Sequence, residues 1–178
     1  MLALAALGVL ASCSARSPRV VSPQTAFAPL PPFQQQPFTI ARFDWPVSYG
    51  KLSSGFGLRH GAMHEGVDIA VPVGTPVRAA ASGRVIFAGR MRGYGKIIII
   101  QHENHYVTVY AHDSVNLVQE GQMVSRGQEI GLVGRTGRTT GANLHFEVRH
   151  NNVASNPLLY LPPVRSTSET RLAAGPSY

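Results

Sequence analysis

Short apolar segments alternate with glycine-rich turns through most of the 178-residue chain. Most of them show the period of two that is typical of strands with one face buried in a sheet. The isoleucine run 97–100 lacks this alternation, which indicates a strand buried on both faces. The pattern predicts seven strands, at residues 66–71, 77–81, 84–88, 96–102, 106–112, 129–133 and 143–149.

Helix signals are weak. No segment carries the apolar stripe of an amphipathic helix of about 12 residues, and one short helical turn is predicted around residues 156–160. Turn sequences such as VGTP, RGYG and HENH separate the strands. We therefore expect residues 41–163 to form a mostly β domain of antiparallel sheets with little helix.

The first residues, MLALAALGVLASC, form an apolar stretch shorter than the roughly 20 residues that span a bilayer. We interpret residues 1–12 as a signal peptide, although no basic residue precedes the apolar run. The sequence LASC resembles a bacterial lipobox, which implies cleavage before Cys13 and its acylation. A chance cysteine at the end of an apolar leader is the alternative. By analogy with enteric bacteria, Ser14 indicates the outer membrane.

The segments on either side of the predicted domain lack a periodic pattern. Residues 13–40 are rich in Pro, Ser and Gln, which predicts an extended, lipid-anchored tether. Residues 164–178 are polar and predict a flexible tail. The whole arrangement predicts a periplasmic lipoprotein. Cys13 is the only cysteine, so an internal disulfide is excluded.

The chain is basic, with a formal charge of +7 at pH 7. Such a charge favours polyanionic partners, for example anionic lipid or an acidic wall polymer. The arginines are scattered and no aromatic-basic motif accompanies them, so the sequence indicates no nucleic-acid binding.

Two polar faces carry candidate chemistry. In HEGVD, His64 and Asp68 are four residues apart, so an extended strand places both on one face, with Gly66 leaving the space between them empty. In NLHFEVR, His145 shares a face with Asn143 and Glu147. Two histidines and one carboxylate are the ligand set of a catalytic zinc site with one open position. The alternative for such a spacing is a surface histidine near a structural aspartate.

Further residues sit close to this pattern. His112 closes the predicted strand YVTVYAH on its polar face, and it is either a catalytic group or a hydrogen-bonded structural histidine. Glu147 either orients the imidazole of His145 or forms a surface ion pair. Arg59 is either a substrate contact or an exposed arginine.

Several ordered motifs, including SSGFGLRH, HEGVDIAVPVGTPV, RGYGKIIIIQH, VYAH and LHFEVR, resemble the lysostaphin/LytM-type zinc metallopeptidases of bacterial cell walls. The resemblance implies a LytM-type (duplicated hybrid motif) β domain that binds one Zn²⁺ through His64, Asp68 and His145. It implies that His112 is one of two catalytic histidines. At the position of the second, this chain has Asn143.

The resemblance supports two functional hypotheses. The first is a zinc endopeptidase that hydrolyses stem or cross-link peptides of peptidoglycan, with activity reduced by Asn143. The second is a catalytically inactive activator of a cell-wall amidase in daughter-cell separation, because the domain is also similar to LytM-domain activator lipoproteins. A purely structural zinc ion is a further alternative. A lipoyl or biotinyl carrier is disfavoured because neither Lys51 nor Lys96 lies at a hairpin tip.

Overall fold

The computed structural model describes residues 43–59 and 61–163. The predicted signal peptide (1–12), the lipidated Cys13, the tether (13–40) and the tail (164–178) lie outside these residues. Within the described part of the chain, no helix is long and apolar enough to cross a membrane.

The described chain is built almost entirely of short strands and turns. The strands are β1 (Lys51–Ser54), β2 (Gly57–Arg59), β3 (Ala62–His64), β4 (Val67–Ala70), β5 (Pro76–Arg78), β6 (Gly83–Met91), β7 (Gly95–Gln101), β8 (Tyr106–Asn116), β9 (Met123–Val124), β10 (Glu129–Val133), β11 (Asn143–His150) and β12 (Val153–Ser155). Single 3₁₀ turns occupy Glu103–His105 and Pro157–Leu159. The second of these confirms the predicted helical turn.

One large antiparallel sheet organises the domain. Its strand order is β1-β4-β11-β8-β7-β6-β9, while β10 pairs with both β8 and β5, and β12 pairs with β11. Strands β2 and β3 form a separate two-stranded sheet. The architecture confirms the prediction of a mostly β domain of antiparallel sheets.

All seven predicted strands are present, as β4, β5, β6, β7, β8, β10 and β11. The prediction that His64 and Asp68 share one extended strand is wrong. His64 ends β3 and Asp68 lies in β4, because β3 pairs with β2 whereas β4 pairs with β1 and β11. The short strands β1, β2, β3, β9 and β12 were not predicted.

The core lies on both faces of the large sheet. Ile98 and Ile100 belong to the main apolar cluster, together with Phe146 and Tyr110. Ile97 packs on the opposite face in a smaller cluster with Val109 and Ala111, and Ile99 packs against that cluster. This arrangement confirms that the isoleucine run is covered on both sides.

Asp113 is an ionisable residue in this apolar setting. It is fully buried in β8, and neither carboxyl oxygen has a hydrogen-bond partner among the described residues. Burial raises the pKa of Asp113 from 3.8 to about 8, although the nearby charge of Lys96 opposes the shift. The side chain is therefore protonated in the folded protein at mildly acidic pH.

Ionisation of Asp113 lowers the free energy of unfolding as the pH rises. Replacing Asp113 with Asn is expected to remove this loss. The folded protein holds this proton more tightly than the unfolded chain, so its contribution is complete below about pH 4 and is lost as the pH rises to about 8. Relative to wild type, Asp113→Asn should gain about 2–4 kcal/mol between pH 5 and pH 8. Urea unfolding of the metal-free proteins measures this, with exposed Glu120→Gln as the control for charge loss. A difference that does not change with pH would contradict the prediction.

Candidate metal centre

Three predicted ligand residues meet where β3, β4 and β11 come together. Antiparallel pairing of β4 with β11 sets Asp68 directly opposite His145. His64 reaches the same point from the end of β3. One ligand atom from each residue lies within 4.8 Å of the other two.

The donor atoms form a nearly equilateral triangle. His145 Nδ1 lies 2.8 Å from Asp68 Oδ1, and His64 Nε2 lies 3.2 Å from that oxygen and 3.1 Å from His145 Nδ1. Zinc bonds of about 2.0–2.2 Å place tetrahedral ligand atoms roughly 3.3 Å apart. The triangle therefore matches one face of a tetrahedral zinc site.

The outer nitrogens of the two imidazoles fix which atoms face inward. His64 Nδ1 donates to the carbonyl oxygen of Gly55 at 2.6 Å. His145 Nε2 donates a hydrogen bond to Oε1 of Glu147 at 3.0 Å. In the neutral tautomers the remaining ring nitrogens direct lone pairs towards each other and towards the carboxylate of Asp68. Three converging acceptors require a proton or a metal cation between them, and the donor set fits a zinc ion.

Glu147 is the carboxylate that supports His145 from behind. It is fully buried and also accepts hydrogen bonds from Tyr94 Oη at 2.8 Å and from Arg149 Nε at 2.6 Å. Arg149 in turn pairs with Glu65 at 2.5 Å. Burial opposes ionisation of Glu147, but the bonds from His145 and Arg149 lower its pKa overall. Of the two alternatives for Glu147, this geometry supports the orienting role.

The charges around His145 favour a positive charge at the centre. Burial alone would lower the pKa of His145, but hydrogen bonds and charge from Asp68 and Glu147 raise it to about 9. Burial likewise opposes ionisation of Asp68, but the bond to His145 and the charges of His64 and Arg59 lower its pKa. Oδ2 of Asp68 faces the guanidinium of Arg59 at 3.5 Å, which leaves Oδ1 directed at the histidines.

His112 lies beside the donor triangle in a strained backbone conformation. Its φ of 68° is left-handed, at a register irregularity where β8 meets β7. Nδ1 donates to the carbonyl oxygen of Thr136 at 2.7 Å, and the ring centroid lies 5.9 Å from that of His145. Burial lowers the pKa of His112. The neutral ring therefore presents Nε2 as a proton acceptor.

Asn143 begins β11 two residues before His145. Its Oδ1 accepts a hydrogen bond from Oγ1 of Thr139 at 3.0 Å. The residue lines the cleft but is not part of the donor triangle. An amide can form hydrogen bonds here but exchanges no proton at neutral pH.

The site opens into a cleft of about 770 Å³. Its walls come from the β2–β3 hairpin, the turn at Gly93 and Tyr94, and the loop 137–140 that precedes β11. Three contributors to the site were not predicted from the sequence: the carbonyls of Gly55 and Thr136, and the Arg138 side chain. Carbonyl contacts leave no mark on residue type, and the segment GRTGRTTG indicated only a turn.

The fold is that of an antiparallel β domain, and the triangle of His64, Asp68 and His145 is a candidate site for one metal ion. The family model for peptidase family M23 matches residues 62–157, and the chain belongs to that family. It is 44% identical over 124 residues to the murein hydrolase activator NlpD of Escherichia coli K12. That alignment covers 69% of this chain but only 32% of NlpD.

Solved structures show the same fold. A zinc-containing peptidase from Vibrio cholerae is 39% identical with a TM-score of 0.61, covering 65% of this chain and 39% of that one. The catalytic domain of lysostaphin from Staphylococcus simulans is 34% identical with a TM-score of 0.59, covering 62% of this chain and 91% of that domain. These matches confirm the resemblance to LytM and lysostaphin-type domains.

Gly66 is the position where a small change should disturb the centre. A Cβ atom there would lie 2.4 Å from the carbonyl oxygen of Phe146 and 2.9 Å from Cε1 of His145. We expect Gly66→Ala to weaken zinc affinity about 10-fold or more by displacing His145, and to lower stability by about 1–3 kcal/mol. Competition with a chromophoric chelator measures the affinity.

Gly55→Ala is the matched control for this prediction. A Cβ at Gly55 meets no atom within 4 Å, and the carbonyl that holds His64 is retained. Equal zinc affinity in the two variants would show that the close approach at Gly66 does not position His145.

Proposed function

We propose that this domain is a zinc metallo-endopeptidase that hydrolyses stem or cross-link peptides of peptidoglycan. The observation that carries the proposal is the convergence of three lone-pair donors, from His64, Asp68 and His145, at the base of an open cleft. Such a set supports catalysis better than a structural role, since structural zinc sites are usually closed by four protein ligands.

The residues divide between holding the metal and moving the proton. His64, Asp68 and His145 would hold zinc, which when bound polarises a carbonyl group and lowers the pKa of water. Gly55, Glu147 and Arg59 fix the orientation of those ligands.

His112 is the proposed proton-transfer residue. Its Nδ1 is committed to Thr136, which leaves Nε2 to accept a proton and return it to the leaving amine. Thr136 thus selects the tautomer as well as the ring position. A left-handed backbone at His112 turns the side chain towards the cleft at the point where β8 departs from regular pairing.

Asn143 limits this chemistry. Its amide can donate a hydrogen bond to a developing oxyanion but supplies neither a proton nor a positive charge. Losing acid–base assistance of this kind costs about 10²–10⁴-fold in rate. We therefore propose a metal-binding site with reduced turnover.

Zinc-loaded protein is expected to cleave peptides of isolated cell wall and release soluble products, and His64→Ala and His112→Asn are each expected to lose most of this activity. His64→Ala removes a ligand, so zinc content falls as well. His112→Asn keeps a residue that tolerates the left-handed backbone, so zinc content and stability should stay near wild type while turnover falls about 10²-fold or more. Chromatography of the soluble products and metal analysis measure both effects.

His105→Asn is the control, because His105 is an exposed histidine with φ of 60° outside the cleft. Asn143→His should raise the rate by restoring an imidazole. Zinc-loaded wild type and Asn143→His that both leave several wall types uncut would overturn the peptidase proposal.

A second function is favoured by Asn143 and by the similarity to the murein hydrolase activator NlpD. In this alternative the domain activates a cell-wall amidase during daughter-cell separation and performs no hydrolysis itself. In either case we propose a periplasmic protein anchored through lipidated Cys13, on the outer membrane, with peptidoglycan and no nucleic acid as its partner.

The alternative predicts that Asp68→Ala still stimulates an amidase from the same cell. The substitution removes the shared oxygen of the donor triangle, so zinc content falls. Dye release from labelled wall by the amidase, with and without the domain, is the measurement. Absence of stimulation by both wild type and Asp68→Ala would exclude the activator function.

A further inference from the structure

Arg138 differs in its pairing from the other charged side chains that line the cleft. Arg59 forms an ion pair with Asp68, and Arg149 forms ion pairs with both Glu65 and Glu147. Arg138 is exposed on the loop 137–140 of the cleft and pairs with no carboxylate of residues 43–59 and 61–163.

The backbone that presents Arg138 is fixed to the RGYG turn. The amide of Arg138 donates to the carbonyl oxygen of Gly93 at 2.7 Å. The preceding Gly137 has φ of 77°, and a Cβ there would lie 2.4 Å from the amide nitrogen of Gly95. This close contact requires glycine and leaves the main chain that carries Arg138 little freedom.

The same loop also holds the proposed proton-transfer residue. The carbonyl of Thr136 accepts from His112 Nδ1, and Oγ1 of Thr136 donates to the carbonyl oxygen of Asp113 at 2.8 Å. Arg138 follows Thr136 by two residues. Arg138 therefore belongs to the loop segment that positions His112, and both residues line the cleft that contains the donor triangle.

We infer that Arg138 is a specificity-determining residue that binds a carboxylate of the substrate, so that the preferred substrates are peptides with a free carboxylate near the scissile bond. This inference rests on the proposed peptidase function. A guanidinium pairs with a planar carboxylate through two parallel hydrogen bonds, and a carboxamide supplies only one acceptor and no charge. Amidated stem peptides are therefore poorer substrates.

The test compares two synthetic stem peptides that differ only by a carboxylate or a carboxamide next to the cleaved bond. Wild type should favour the acid by about 10-fold or more in kcat/KM, as expected for a charge-assisted hydrogen bond. Arg138→Gln should bring the ratio close to one, with most of the loss falling on the acid peptide. Arg138→Lys should keep part of the preference.

Arg84→Gln is the matched control. Arg84 is an exposed arginine that lies opposite Gln101 in the strand register, at the end of the β6–β7 ladder far from Gly95. It removes the same charge without touching the cleft, so its acid-to-amide ratio should equal that of wild type. A wild-type ratio near one, or an equal loss on both peptides in Arg138→Gln, overturns the inference.

Peptide binding separates this inference from the peptidase proposal. The peptidase proposal is decided by the cleavage of cell wall described above. If neither peptide is cleaved, calorimetry of the same peptide pair with zinc-loaded wild type and Arg138→Gln decides the specificity. An acid preference of about 10-fold in wild type that disappears in Arg138→Gln supports the inference. Equal affinities for acid and amide in wild type overturn it.

Discussion

The pairing register of β4 with β11 is the constraint on which the site depends. It sets Asp68 opposite His145, and a slip of one strand by one residue would leave the two side chains on opposite faces of the sheet. The register is fixed by Val67, Ile69, Leu144 and Phe146, which alternate with the ligands and are fully buried. The apolar packing that stabilises the fold therefore also maintains the distance between the donor atoms.

The candidate ligands and the candidate proton-transfer groups are supported differently. Asp68 and His145 stand on paired central strands, whereas the position of His112 depends on a left-handed residue and on one carbonyl of the loop before β11. Rigid strands suit a metal site, which tolerates little variation in distance. Substitutions in loop 134–142 can therefore change proton transfer and substrate specificity while leaving the candidate metal site intact.

The sequence predicted those parts of the fold that depend on alternation and burial. The strands with an apolar face were found, but β2 and β3 were not, because Leu58 in that hairpin is 80% exposed and no apolar period marks it. His64 and Asp68 do converge, but across a bend at Gly66 between β3 and β4 rather than along one strand. The buried carboxyl of Asp113 and the carbonyl contacts of Gly55 and Thr136 could not be predicted, because they arise from tertiary packing.

Family membership leaves two functions open, and the donor triangle bears on both. Two imidazole lone pairs and a carboxylate about 3 Å apart repel one another unless a proton or a metal ion lies between them. Metal binding therefore stabilises this arrangement in an activator as well as in a peptidase, and zinc content does not separate the two. Hydrolysis of a peptide bond separates the two functions, because only a peptidase needs a group that stabilises an oxyanion, and Asn143 is the candidate for that group.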